Sequence, residues 1–233
     1  GTNKSRSVCA FFIIASLLTI EMPPRYTLYT PQGSFRAFAP LIAAEINQVD
    51  ITVETEHIQA VAQVKSPTGK APLLETPQGV VIFASSAIAR YVAGIRTDTG
   101  LLGGFFQERA AVDQWVDWCN AELELPACVL FYPIAGYMTV DEAATTKAKA
   151  DLKAGLQVLQ DCLSNRDFLV NNQLTLADIV VVSTLVYPFK LVCDESFLAP
   201  YDRVVRWFTH CTQRPEFLAV LGPIELYQGG DCR

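Results

Sequence analysis

Few residues of this chain are placed to do chemistry. The clearest lie in the stretch GKAPLLETPQGVVIFASSAIARYV, from Gly69 to Val92. Pro72 opens a short apolar run, and Ser85 and Ser86 stand where a helix should begin. A proline just ahead of a strand is often only a strand start. A serine at a helix start is most often a plain N-cap. The second reading of Ser85 is chemical. A helix N-terminus offers free N–H groups and a partial positive charge, so a substrate carboxylate can dock there. The residue before the pair, where such a site wants a charge, is Ala84. Thr175 and Asp178, in LTLAD, have the spacing of a capping-box variant, with Leu174 and Ile179 near staple positions. Their expected role is structural: to nucleate the helix that follows.

Other chemistry is poorly supported. SPTGK lacks the preceding glycine and the following Ser/Thr of a phosphate loop, and no G-x-S-x-G occurs. The two histidines, His57 and His210, are far apart, so no metal site is expected. The seven cysteines are odd in number and form no C-x-x-C pair, which reads as buried free thiols in a reducing compartment. A net charge of −6 argues against direct nucleic-acid binding. The densest basic cluster, Lys147, Lys149 and Lys153, reads as a solvated helix face. Trp115 and Trp118 read as core and interface. With 51% hydrophobic and 18% charged residues the chain is globular, long enough for one or two domains.

These residues need elements to position them. YTLYT, residues 26–30, reads as a strand, and PQG as a turn. Ser34 can cap the next helix, in which Phe35, Phe38, Ile42 and Ile46 recur at helical spacing and Pro40 should cause a kink or local break. Residues 50–56 read as a second strand, followed by a looser segment to Thr68. PLLET and VVIFAS flank PQG as a hairpin, and Ser85 or Ser86 caps a helix through Val92. The order β-α-β, link, β-β-α is that of a thioredoxin-like domain.

Beyond GIRTDTGLLGG strand signals vanish. Val112, Trp115, Cys119 and Leu123 form one helical stripe, and Leu152, Leu156, Leu159 and Leu163 another. Residues 174–192 are apolar nearly all round, as a buried central helix should be. Val204, Trp207, Phe208 and Cys211 share a face, and Pro215 starts a last short helix. The expected fold class is an α/β thioredoxin-like N-terminal domain plus an all-α helical C-terminal domain. The expected organisation is residues 1–25 as an extension, 26–94 as the first domain, 95–104 as a linker, 105–224 as the second domain, and 225–233 as a tail cut short. Lys4 and Arg6 precede the apolar run of residues 8–20, a pattern like a secretory signal but without a clear cleavage site and too short to span a membrane comfortably. The reading preferred for residues 1–21 is translated upstream sequence or a gene-model artefact.

TLYT, RAF, LIAAE, GKAPLLE, SSAIARYVA and FLVNNQLTLADIVVVSTL together resemble the glutathione-transferase fold. RWFTHCTQRPEFLAVLG is more specific and is similar to the transferase-like domain of the elongation factor 1 gamma family. The resemblance covers residues 26–224. It implies a cis Ala71–Pro72 bond that turns the backbone of Ala71 toward a ligand. It implies glutathione or a related thiol as that ligand, with no other cofactor. Lys70, Ala71 and Pro72 would clamp the peptide, and Ser85 with Ser86 would hold its carboxylate. Transferases commonly place an acid where this chain has Ala84, and a thiolate-stabilising hydroxyl at the first strand–helix junction. Here Ser34 and Tyr29 are the two candidates for that catalytic hydroxyl, against plainer readings as an N-cap and a packed aromatic.

Two roles follow from the resemblance. One is a cytoplasmic scaffold that docks the beta- or delta-type exchange subunits of elongation factor 1 during polypeptide elongation, with homodimerisation implied. The other is a transferase conjugating a thiol to electrophiles. Neither implies direct contact with nucleic acid or membrane.

Overall fold

A computed structural model describes residues 25–229. The expectations for residues 1–21, and for Cys9 and Cys232, lie outside the described residues.

Four strands, β1 (Tyr26–Tyr29), β2 (Ile51–Glu54), β3 (Leu73–Glu75) and β4 (Val81–Phe83), form one sheet in the order β2-β1-β3-β4. β2 runs parallel to β1, while β3 is antiparallel to both β1 and β4. This mixed pairing follows from the connections. β1 reaches β2 through α1 (Phe38–Asn47), as a parallel pair requires, whereas β3 and β4 share a tight turn at Gly79. Alternation along β1 sends Leu28 and Tyr29 to opposite faces. Leu28 is fully buried in the main core with Leu74, Ile42 of α1 and Ile88 of α3 (Ser85–Gly94). Tyr29 lies on the face crossed by α2 (Ile58–Lys65), a helix within the segment expected to be loose.

Two expectations about helix starts are corrected. Ser34 stands at an N-cap position, but its side chain makes no capping hydrogen bond, and the chain first forms a 3₁₀ turn at Phe35–Ala37. α1 therefore begins at Phe38, which puts Pro40 in its first turn, where a missing N–H costs little, so the break falls before the proline rather than at it. Neither Ser85 nor Ser86 caps α3. The cap position belongs to Ala84, held at φ 68°, with no side-chain cap.

The rest is helical: α4 (Phe106–Trp118), α5 (Glu124–Phe131), α6 (Glu142–Cys162), α7 (Leu176–Leu191), α8 (Glu195–Leu198), α9 (Asp202–Thr212) and α10 (Pro215–Leu221). α7 is the central rod: Ile179, Val181, Val182, Leu185 and Phe189 are 0% exposed. Each such side chain contributes about 1.5–3 kcal/mol by leaving water. Leu152, Leu156 and Leu159 of α6 and Val204, Phe208 and Cys211 of α9 close on it, in one core continuous with that under the sheet. Between α4 and α5 a π turn, Cys119–Leu123, brings the Glu124 N–H to the Cys119 carbonyl.

The architecture is a thioredoxin-like mixed sheet with helices, followed by an all-helical domain. Of the described cysteines, Cys119, Cys128, Cys193 and Cys211 are buried, Cys162 is half-buried, and all five are free thiols. Among the described residues no helix is long and apolar enough to cross a membrane.

Candidate functional site

Strand register gathers most of the candidate residues at one edge of the sheet. Tyr29 pairs with Leu73 and Leu73 with Phe83, so β1 ends, β3 begins and β4 ends at the same level. The Ser34 loop, Ala71–Pro72 and the start of α3 are the next residues beyond that level. The Ala71–Pro72 peptide is cis. Pro72 is buried, Ala71 half-buried and Lys70 exposed, while Ser85 and Ser86 are half-buried in the first turn of α3. That turn has no acidic side chain to neutralise its N–H groups.

A cleft of about 470 Å³ opens beside this edge. One wall is Pro31 to Arg36 together with Ala71; the other is Phe131, Tyr132, Tyr137 and Tyr187. Ser34, whose side chain makes no capping hydrogen bond, is among the residues of the first wall. The opposite wall is an aromatic stack, with Phe131 at 5.1 Å from Tyr187 and 4.7 Å from Tyr132 between ring centroids. Tyr187 closes the floor by donating its hydroxyl to the Gly33 carbonyl at 2.5 Å. Gly33 holds φ 70°, a conformation that favours glycine.

The two hydroxyls proposed at the strand–helix junction part company. Ser34 lines the cleft, and Tyr29 does not. The Tyr29 hydroxyl donates to Glu75 at 2.9 Å, on the α2 face, with Lys65 Nζ 5.2 Å from its ring centroid. Burial, then the hydrogen bond to Glu75, raises the Tyr29 pKa above the ordinary phenol value, while Lys65 holds Glu75 below the ordinary carboxylate value.

Ser85 faces a different group of residues. It shares a small recess with Arg36, Asn120 and Glu124, where α5 meets the 3₁₀ turn. Arg36 is the functional residue that sequence reasoning missed. Its Nε donates to Glu124 Oε1 at 3.0 Å, its Nη2 donates to the same oxygen, and its Nη1 donates to the Tyr132 hydroxyl at 2.8 Å. Burial opposes its charge, but the Glu124 carboxylate outweighs that and holds the guanidinium pKa above its ordinary value. The only sequence signal was a lone arginine among apolar neighbours in SFRAFAP. Cys128 lies beside the same group, and burial pushes its thiol up, away from the reactive thiolate form.

Thr175 and Asp178 sit apart from the cleft. Thr175 N and Oγ1 donate to Asp178 Oδ2 at 3.0 and 3.1 Å. Asp178 Oδ1 also accepts from Leu169 N at 2.9 Å and Trp207 Nε1 at 3.0 Å, so this fully buried carboxylate joins three segments. Burial outweighs those donors and raises its pKa to about 6.

The arrangement offers a hydroxyl and backbone groups on one side of a cleft and an apolar surface on the other. That combination suits a small peptide-like thiol beside an apolar group.

Two family models match: "Glutathione S-transferase, N-terminal domain" over residues 24–94, and "Glutathione S-transferase, C-terminal domain" over residues 123–215. Among curated proteins, Elongation factor 1-gamma-A of Xenopus laevis is 38% identical over 209 residues, covering 86% of this chain and 47% of that protein. The chain thus spans about half the length of the curated relatives it matches. Among solved structures, the GST-like domain of elongation factor 1-gamma from Saccharomyces cerevisiae has a TM-score of 0.74 at 20% identity, covering 87% of this chain and 95% of that one. Glutathione transferase F2 from Populus trichocarpa has a TM-score of 0.77 at 20% identity, covering 84% and 97%. These two likenesses establish the fold.

Proposed function

The chain belongs to the glutathione S-transferase family, and from that premise we propose that it acts as the transferase-like part of an elongation factor 1 gamma-type subunit, docking exchange subunits in the cytoplasm. The observation that carries this reading is the 38% identity to an elongation factor 1-gamma over 209 residues. Two features of the site support it. Ala84 leaves the start of α3 without an acid for a ligand ammonium. Arg36, although it lines the cleft, has its guanidinium engaged by Glu124 and Tyr132 across the two domains. The test is co-elution of the purified chain with an elongation factor 1 exchange subunit in size-exclusion chromatography. A stable complex at micromolar concentration is expected; separate elution of the two proteins would remove the proposal.

A second reading is favoured by one observation, the cleft that joins the Ser34 hydroxyl to an aromatic wall. In it, Ser34 donates a hydrogen bond to the sulfur of glutathione and lowers the thiol pKa, so that the thiol gives up its proton to solvent water. The thiolate then attacks an electrophile lying against Tyr132 and Tyr187, forming a C–S bond as the leaving group takes the electron pair. Ala71, in the cleft lining, and Lys70 beside it would hold the peptide; Ser85 and Ser86, outside that lining at the start of α3, would take the carboxylate of a peptide long enough to reach them. Turnover of a model electrophile at millimolar glutathione, reduced by Ser85→Ala, is the expected result, and absence of turnover rejects this reading. Docking and the cleft use different surfaces in this proposal, so the two roles are compatible.

A further inference from the structure

A second cleft, of about 570 Å³, shares no residue with the first. We propose that it binds a small anion carrying two or more phosphate groups. The inference rests on neither reading of the first cleft.

The argument begins with spacing. Arg203, Arg206 and His210 lie on α9 at intervals of three and four residues, which places them on one side of the helix. All three line this cleft, and Arg166, on the loop after α6, lines it with them. Asp167 is the only acidic residue in the lining. The lining holds three guanidiniums and one carboxylate, with Asp202 just outside it beside Arg203 and Arg206, which leaves a net positive pocket in a chain whose net charge is −6. Such a pocket selects for more than a single negative charge.

The guanidiniums are weakly engaged by the protein. Arg166 Nη1 and Arg203 Nη1 each reach one carbonyl, of Leu169 and Gln160 respectively, at 3.4 Å. Arg206 meets Asp202 at 3.6 Å, with both side chains at least 70% exposed, a pair worth little in water. Each guanidinium carries five N–H donors in a planar fork, and most of them remain for a ligand. Phosphate oxygens match that fork.

The cleft is also held in shape. The Asp178 carboxylate accepts from Leu169 N, next to the lining residue Phe168, and from Trp207 Nε1 on α9, so one buried group ties the loop that carries Arg166 to the helix that carries the other arginines. Trp207 and Phe168, both buried, form the floor, and the His210 ring lies 5.6 Å from that of Phe168. A site whose walls are fixed before binding loses less affinity to ordering.

The test is calorimetric titration of the chain with inorganic triphosphate at low salt, with ATP and citrate as companion probes. One-to-one binding of triphosphate is expected, weakened about tenfold by Arg206→Ala and by Arg166→Ala, and less by Arg206→Lys, which keeps charge but loses the fork. Unchanged melting temperatures establish that the variants are folded; Arg206 is 73% exposed and its truncation leaves the core untouched. ATP tighter than triphosphate identifies a nucleotide as the source, and equal binding identifies free polyphosphate; either supports the site. The proposal is overturned by absence of triphosphate binding at millimolar concentration, by citrate binding as tightly, by affinity indifferent to both alanine variants, or by binding confined to long RNA.

Discussion

Arg36 and Glu124, 88 residues apart, form the strut between the sheet domain and the helical domain, with the Arg36 Nε–Glu124 Oε1 distance at 3.0 Å and Tyr132 braced on the same guanidinium. Arg36→Ala should lower unfolding free energy by about 2 kcal/mol, the scale of a hydrogen bond to a charged group. Arg36→Lys should recover little of it, because a compact ammonium lacks the planar fork whose separate nitrogens reach Glu124 and Tyr132. Urea denaturation measures both; a loss below about 0.5 kcal/mol, the scale of an exposed pair, would show that the strut contributes nothing special.

Ala84 holds φ 68° although it carries a Cβ, a conformation that typically costs about 1–3 kcal/mol. Ala84→Gly should therefore stabilise the chain by about 1 kcal/mol, against the usual penalty for glycine. Destabilisation in the same denaturation assay would mean that Ala84 is not strained. Ala84→Glu, by placing a carboxylate beside Ser85, should strengthen glutathione binding about tenfold if the cleft takes that peptide, and titration calorimetry reads the change directly.

Ser34 and Tyr29 can be separated by one comparison. Ser34→Ala should abolish any shift of bound glutathione toward the thiolate, seen as loss of absorbance near the thiolate band. Tyr29→Phe should leave it unchanged, since its hydroxyl is held by Glu75 away from the cleft. The reverse pattern would put the activating group on the other face of the sheet.

Asp178 titrates at about 6 when folded, above its ordinary 3.8, because burial disfavours its charge. The folded chain then binds the extra proton, so stability falls as pH rises from about 4 to about 6 and is level beyond. The effect should reach about 3 kcal/mol and should vanish in Asp178→Asn. Unfolding curves at several pH values, for both proteins, check the sign; a parallel pH dependence in the two would contradict it.

The sheet and the central helix were legible because their signals are local. Leu28 and Leu74 sit in short strands bounded by turns, and Ile179 to Phe189 are apolar all round because α7 is buried all round. The capping box was legible for the same reason, since Thr175 and Asp178 are three residues apart. The helix starts were not. No residue type announces that Ala84 takes a positive φ, whereas Ser85 and Ser86, one and two residues later, are the residue type expected at a cap. α2 was missed because its exposed face leaves only Ala62 fully inside, too little apolar surface to set a period. Arg36 was missed because its meaning lies in Glu124 and Tyr132, on another domain, and nothing in a single sequence links positions so distant.

The π turn at Cys119–Leu123 makes the length of that segment a specification. Removing one residue there would let the segment relax to an ordinary α-helix, a gain for the local backbone. Everything downstream would turn by about 100° about the helix axis, and Glu124 would no longer point at Arg36. A shortened variant would thus be better formed as a helix yet worse joined as a protein, so chain length here should tolerate substitution more readily than deletion.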